Sequence, residues 1–102
     1  MVLGLYNIAS AYCNVKAVYT NTAPVDAYRG AGRPEATYMI ERLMDKAAKE
    51  MGMDRAEFRK KNFIRQFPHQ QCLVHNIDSG DYEAHFNRAL ELSDYSNFEK
   101  RK

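Results

Sequence analysis

The sequence predicts an α+β fold, a short strand pair followed by three helices, in a single domain over residues 1–102. Three observations carry this reading. Residues 12–20 alternate apolar with more polar side chains in a run rich in β-branched and aromatic types. Residues 34–51 repeat apolar side chains at intervals of three and four. A chain of 102 residues, 45% apolar and 27% charged, has enough material for one small core and no more.

The strands are read over about residues 12–28. Cys13, Val15, Ala17 and Tyr19 share one side of the first, Asn21-Thr22-Ala23-Pro24 interrupts it because proline removes a ladder donor, and Val25-Asp26-Ala27-Tyr28 resumes it. On this reading Cys13 is a packed thiol. A helix follows over about 34–51, with Pro34 in its first turn, Glu35 at the positive end of its dipole and Gly52 just past its end. Ala36, Met39, Ile40, Leu43, Met44, Ala47, Ala48 and Met51 form its apolar stripe, so a charge at Leu43 is expected to unfold the domain. Asp54 with Glu57 makes an Asp variant of the capping box and opens a second helix over about 54–63, anchored by Phe58. From Ile64 to Asp78 no period persists and a loop or irregular strand is expected. Ser79 caps a third helix over about 79–95, with Tyr82, Phe86, Ala89, Leu90 and Ser93 inward, and the basic tail beyond it reads as a solvated end.

Several function classes are disfavoured by composition. No apolar run approaches the roughly 20 residues that cross a bilayer. The first residues, Met1-Val2-Leu3-Gly4-Leu5-Tyr6, lack the basic region and apolar core of a secretory signal. Fifteen Lys and Arg against thirteen Asp and Glu leave a charge of +2, too balanced to point to nucleic acid or a membrane surface. Cys13 and Cys72 share no motif, so neither a disulfide framework nor a Cys-x-x-Cys site is expected, and the cytoplasm is the default compartment.

The stretch with chemical content is Ala27-Tyr28-Arg29-Gly30-Ala31-Gly32-Arg33-Pro34-Glu35. Glycines permit positive φ and close approach of a ligand, free N–H groups at a helix start attract anions, and arginine supplies a charged fork for phosphate or oxo groups. The third glycine of a dinucleotide fingerprint is missing, since Glu35 stands in its place, and no Lys-Ser/Thr pair completes a phosphate loop. The same residues also suit a plain strand-to-helix turn, and spacing does not choose between the two. His69, His75 and His85 lack the spacing of a helical metal site, and no residue is assigned a catalytic or metal-ligating role. Arg55, Arg59, Lys60, Lys61 and Arg65 read as a solvated helix face.

Read together, Gly4-Leu5-Tyr6-Asn7-Ile8, the run from Ala11 to Asn21 and Ala27-Tyr28-Arg29-Gly30-Ala31-Gly32-Arg33-Pro34-Glu35-Ala36 resemble the molybdopterin-binding large subunit of the xanthine dehydrogenase, aldehyde oxidase and carbon monoxide dehydrogenase family. Glu41-Arg42 with Asp45, Arg59-Lys60-Lys61-Asn62-Phe63-Ile64 and Asp78-Ser79-Gly80-Asp81-Tyr82 extend the resemblance, from about Gly4 to Tyr95 in one register. It implies a molybdenum-dependent oxidoreductase in which Arg29 and Gly30 face the molybdenum-pterin cofactor while Ala31 and Gly32 line the substrate pocket. It also implies oxygen drawn from water, and electrons leaving through iron–sulfur and flavin subunits or domains. Copper-containing carbon monoxide oxidisers carry a cysteine where this chain has Gly30, and xanthine-oxidising relatives an aromatic residue where it has Ala31. The pattern is therefore similar to the carbon-monoxide-dehydrogenase-like large subunits of varied substrate.

The family's catalytic glutamate lies outside the matched portion, and Glu35 aligns with a helix start. This chain is thus expected to be an internal piece of such a subunit, holding no cofactor and turning over no substrate alone, with the rest of the large subunit as its partner. The alternative is a stand-alone, non-catalytic interaction or anion-binding module that keeps the fold and self-associates as a homo-oligomer.

Overall fold

A computed structural model describes residues 2–72 and 75–102. Helix α1 (Arg33–Glu50) is the longest element, followed by α2 (Arg55–Asn62), a two-stranded antiparallel hairpin of β1 (His69–Gln70) and β2 (Asn76–Ile77), and α3 (Tyr82–Leu92). A single 3₁₀ turn (Tyr95–Asn97) then leads into α4 (Phe98–Arg101). The hairpin register pairs His69 with Ile77 and Gln70 with Asn76.

Each helix starts for a local reason. Helix α1 has no side-chain cap; Gly32 stands before it with φ of 83° and Pro34 occupies its first turn. At its far end the Met53 N–H returns to the Ala48 carbonyl at 2.9 Å, which closes the last turn. The Asp54 carboxylate accepts the Ala56 and Glu57 N–H groups at 2.8 and 3.0 Å, satisfying donors the α2 helix cannot. Helix α3 begins two residues later than expected because Asp81, rather than Ser79, takes the Ala84 N–H, at 3.0 Å. The tail beyond residue 95 is not a bare solvated end. Arg101 donates to the Ser93 and Asp94 carbonyls, both at 3.0 Å, and folds the short α4 back against the end of α3.

The core sits where α1, α2 and the amino-terminal arm meet. Ile40 and Met44 of α1 pack with Tyr6 and Phe63, and Phe58, Tyr82 and Phe86 close over them from the side. The Phe63 ring stacks on Tyr6 at 5.9 Å and meets Phe86 edge-on at 5.2 Å. The arm is held by backbone as well as by side chains: the Asn7 N–H reaches the Asn62 carbonyl at 2.8 Å, and the Ile64 N–H reaches the Leu5 carbonyl at 3.0 Å. Gln71, buried in the hairpin, donates its side-chain amide to the Gly4 carbonyl at 3.0 Å.

Three expectations are corrected. No strand forms over residues 12–28, and every side chain there is exposed, including Tyr12, Cys13, Val15, Val18, Tyr19, Val25 and Tyr28. Alternation specifies a strand only if another strand supplies the facing N–H and C=O groups, and no described residue pairs with this segment. The strand pair lies instead in the 69–77 hairpin, inside the stretch read as irregular; of that stretch, Leu73 and Val74 fall outside the described residues. Finally, α1 buries only three of the eight residues of its stripe. Ile40, Met44 and Ala48 are buried, whereas Met39, Leu43 and Met51 are 54, 60 and 65% exposed.

Candidate functional site

The 29–32 turn joins the extended 12–28 segment to α1, and its backbone is shaped by two hydrogen bonds. The Ala31 N–H reaches the Tyr28 carbonyl at 2.7 Å, and the Arg33 N–H reaches the Gly30 carbonyl at 2.9 Å. Three consecutive residues take positive φ: Gly30 at 96°, Ala31 at 46° and Gly32 at 83°. The first conformation is one that a side chain rarely adopts, and a Cβ on residue 30 would lie 2.9 Å from Cδ of Pro34. At residue 32 a Cβ would meet nothing within 4 Å, so the turn is open above Gly32.

Its electrostatics are positive. The backbone N–H groups of Gly30, Gly32 and Glu35 have no backbone partner among the described residues, and the positive end of the α1 dipole lies behind them. Arg29 and Arg33 are exposed, and neither is in an ion pair among the described residues. Arg33 and Thr37 also border a groove of about 230 Å³, floored by Gly4, Leu5, Gln71 and Ile77. Open amides, two unpaired guanidinium groups and an uncrowded glycine suit an anionic group such as a phosphate. They form one wall, and the opposite side is solvent.

A second constellation holds α1 against α2. Arg59 donates Nε to Glu41 at 2.8 Å, pairs through NH1 with Asp45 at 2.9 Å and donates NH2 to the Glu41 backbone carbonyl at 3.1 Å. The Tyr6 hydroxyl donates to the Glu41 carboxylate at 2.8 Å. Burial, reinforced by this carboxylate, drives the Tyr6 hydroxyl far above the ordinary phenol range, so it stays a donor at every physiological pH. The basic cluster expected as a solvated face thus divides: Arg59 turns inward as the clasp, whereas Arg55, Lys61 and Arg65 remain exposed. Sequence reasoning missed the clasp because Tyr6, Glu41, Asp45 and Arg59 obey no common period. The only signal was the recurrence of Glu41, Asp45 and Arg59 in the family resemblance.

Elsewhere the inventory is plain. Cys13 and Cys72 are both free and exposed, which corrects the packed Cys13. Among the described residues no three His, Cys, Asp or Glu side chains gather in a way that could hold a metal ion, and no helix is long and apolar enough to cross a membrane.

The turn, the arm and α1 together define a class. The family described as "Molybdopterin cofactor-binding domain" matches residues 1–63, which contain all three. The chain belongs to this family. It is 48% identical over 96 residues to the carbon monoxide dehydrogenase large chain of Hydrogenophaga pseudoflava, covering 90% of this chain and 12% of that one. It is 40% identical over 103 residues to subunit gamma of the 6-hydroxypseudooxynicotine dehydrogenase complex of Paenarthrobacter nicotinovorans, covering 94% of this chain and 13% of the other. A shorter match, 38% over 58 residues, is to the putative xanthine dehydrogenase molybdenum-binding subunit of Escherichia coli. The chain is thus similar to a piece of a molybdenum hydroxylase large subunit, and spans about an eighth of the length of the first two of these relatives.

Proposed function

We propose that the chain forms the part of a molybdenum hydroxylase large subunit that presents Arg29, Gly30, Ala31 and Gly32 to the rim of the molybdenum-pterin cofactor. The observation that supports this reading is the open turn itself: unpaired Arg29 and free amides at Gly30 and Gly32 stand ahead of α1 in a chain of the cofactor-binding family. When bound, the cofactor supplies the two-electron oxidation. This chain's own residues bind and orient, with Arg29 and the amides facing its anionic groups and Ala31 and Gly32 leaving room for substrate beside it. The chain contributes no catalytic base, holds no cofactor by itself and is inactive alone, because one wall does not bury so large an anion.

Its working partners are the rest of the large subunit and the iron–sulfur and flavin subunits that carry electrons away. Two unpaired thiols suit a reducing cytoplasm. Oxidation of a carbon centre in a small organic molecule suits the turn better than copper-dependent carbon monoxide oxidation. The cysteine that marks the copper type would need a Cβ on residue 30, where Pro34 stands 2.9 Å away and φ is 96°.

The test is made in a large subunit that carries this stretch. Arg29→Ala is expected to lower bound molybdopterin about tenfold, the worth of a hydrogen bond to a charged group. Lys61→Ala, on the exposed side of α2, serves as the control. Equal cofactor content in the Arg29 variant and the parent overturns the reading. A second reading, a self-associating module without catalysis, is favoured by the exposed Met39 and Leu43, and predicts a dimer of the 102-residue chain with no affinity for the cofactor.

A further inference from the structure

Residues 11–20 contain one charge, Lys16, among valines and tyrosines, in a chain that is 27% charged. This is the composition of a buried strand, not of a solvated loop. Yet Val15, Val18 and Tyr19 are 82, 79 and 104% exposed, and the backbone here pairs with no described strand. The molecule as a whole exposes 8764 Å². A folded monomer of 11.8 kDa exposes roughly 5,900 Å². The difference, roughly 2,900 Å² on this chain alone, is several times the roughly 800 Å² that each partner buries in a standard interface.

Two occupants compete for this segment. A second copy, paired antiparallel over residues 12–20 with full overlap, sets the two Lys16 side chains opposite each other at the centre, a repulsive arrangement. The other occupant has ample length, because the chain covers only 12 to 13% of the relatives it matches over nearly its whole extent. We propose that residues 12–20 add as a β-strand to a sheet in the part of the large subunit outside the stretch this chain spans, and that this pairing holds the 29–32 turn in position. The inference rests on the subunit reading above and adds the device that completes its site. The turn hangs between α1, which is packed, and a segment with no strand partner among the described residues, so only one of its two ends is held by described contacts.

The experiment grafts this chain in place of the aligned residues of the Hydrogenophaga carbon monoxide dehydrogenase large chain, and compares amide hydrogen exchange in the graft and in the 102-residue chain. Exchange over residues 12–20 is expected to slow on the order of 100-fold in the graft. Equal rates in both, or concentration-dependent protection in the chain alone, overturn the proposal, the latter assigning the strand to a second copy. A smaller graft of residues 11–32 guards against misassembly of the larger one. Failure of both to assemble also counts against it, since the strand must then not fit the sheet. Molybdopterin content is read in the same samples: protection retained with cofactor unaffected by Arg29→Ala sinks the cofactor-rim reading alone, and unprotected residues 12–20 sink the strand alone.

Discussion

At the scale of single residues, the turn holds two positions of opposite sign. Ala31 takes φ of 46° without being glycine, which costs an L-residue about 1–2 kcal/mol. Ala31→Gly removes that cost and adds about 0.5–1 kcal/mol of unfolded-state entropy, so a small net gain in stability is expected. Gly30→Ala is the converse, because its new methyl group meets Pro34 and its φ of 96° suits no side chain. It is expected to lower stability by about 1–2 kcal/mol. Urea denaturation of the two variants checks the pair, and a shared sign would show that the turn relaxes freely. The same residues bear on function: the conformation that makes residue 30 intolerant of a side chain leaves its amide uncovered. The Arg59 clasp belongs to this scale too. With its side chain 14% exposed and bound to both Glu41 and Asp45, it fixes the roll of α1, and with it the direction in which the turn leaves the helix.

Among elements, α1 shows why some of the fold was legible in the sequence and some was not. Its helix could be read from its period, Pro34 and Gly52 because the backbone hydrogen bonds that build a helix are local. Its burial could not, because period shows which residues share a face and not how much of that face a neighbour covers. Met44 is 6% exposed and Leu43 is 60% exposed, although both belong to one stripe. Met44→Ala is therefore expected to cost about 2–5 kcal/mol. Leu43→Asp, contrary to the expectation from the stripe, should shift the isolated chain by no more than about 0.5 kcal/mol. Thermal melts of both variants check this, and a large loss at Leu43 would restore the wider core. Residues 12–28 failed for a related reason, since a strand is a relation between two segments and one of them must be found elsewhere. The candidate turn was legible as a glycine-arginine motif, but its positive φ at Ala31 was not, because alanine gives no local signal for that conformation. The Asp54 cap was legible, as Asp54 and Glu57 stand at capping spacing. Desolvation raises its carboxyl, but hydrogen bonds from the Glu57 N–H, the Tyr95 hydroxyl and the Ala56 N–H outweigh this and hold it below the usual carboxylate range.

For the molecule as a whole, the radius of gyration is 16.5 Å, against about 13 Å for a compact domain of this length. The excess reflects a packed body from which the 12–28 segment projects. That segment is tethered at both ends, by Asn7 bonded to Asn62 on one side and by α1 on the other. Severing the covalent chain within it would therefore not release the first residues. Trypsin has Lys16 and Arg29 as its exposed sites there, and the amino-terminal peptide it leaves carries Leu3 and Tyr6, 4 and 1% exposed in the core. A nicked sample should run as separate peptides under denaturing conditions yet elute as one species from a native sizing column. Peptide lost on that column would mean that the amino-terminal arm is held by the continuity of the polypeptide and not by its contacts.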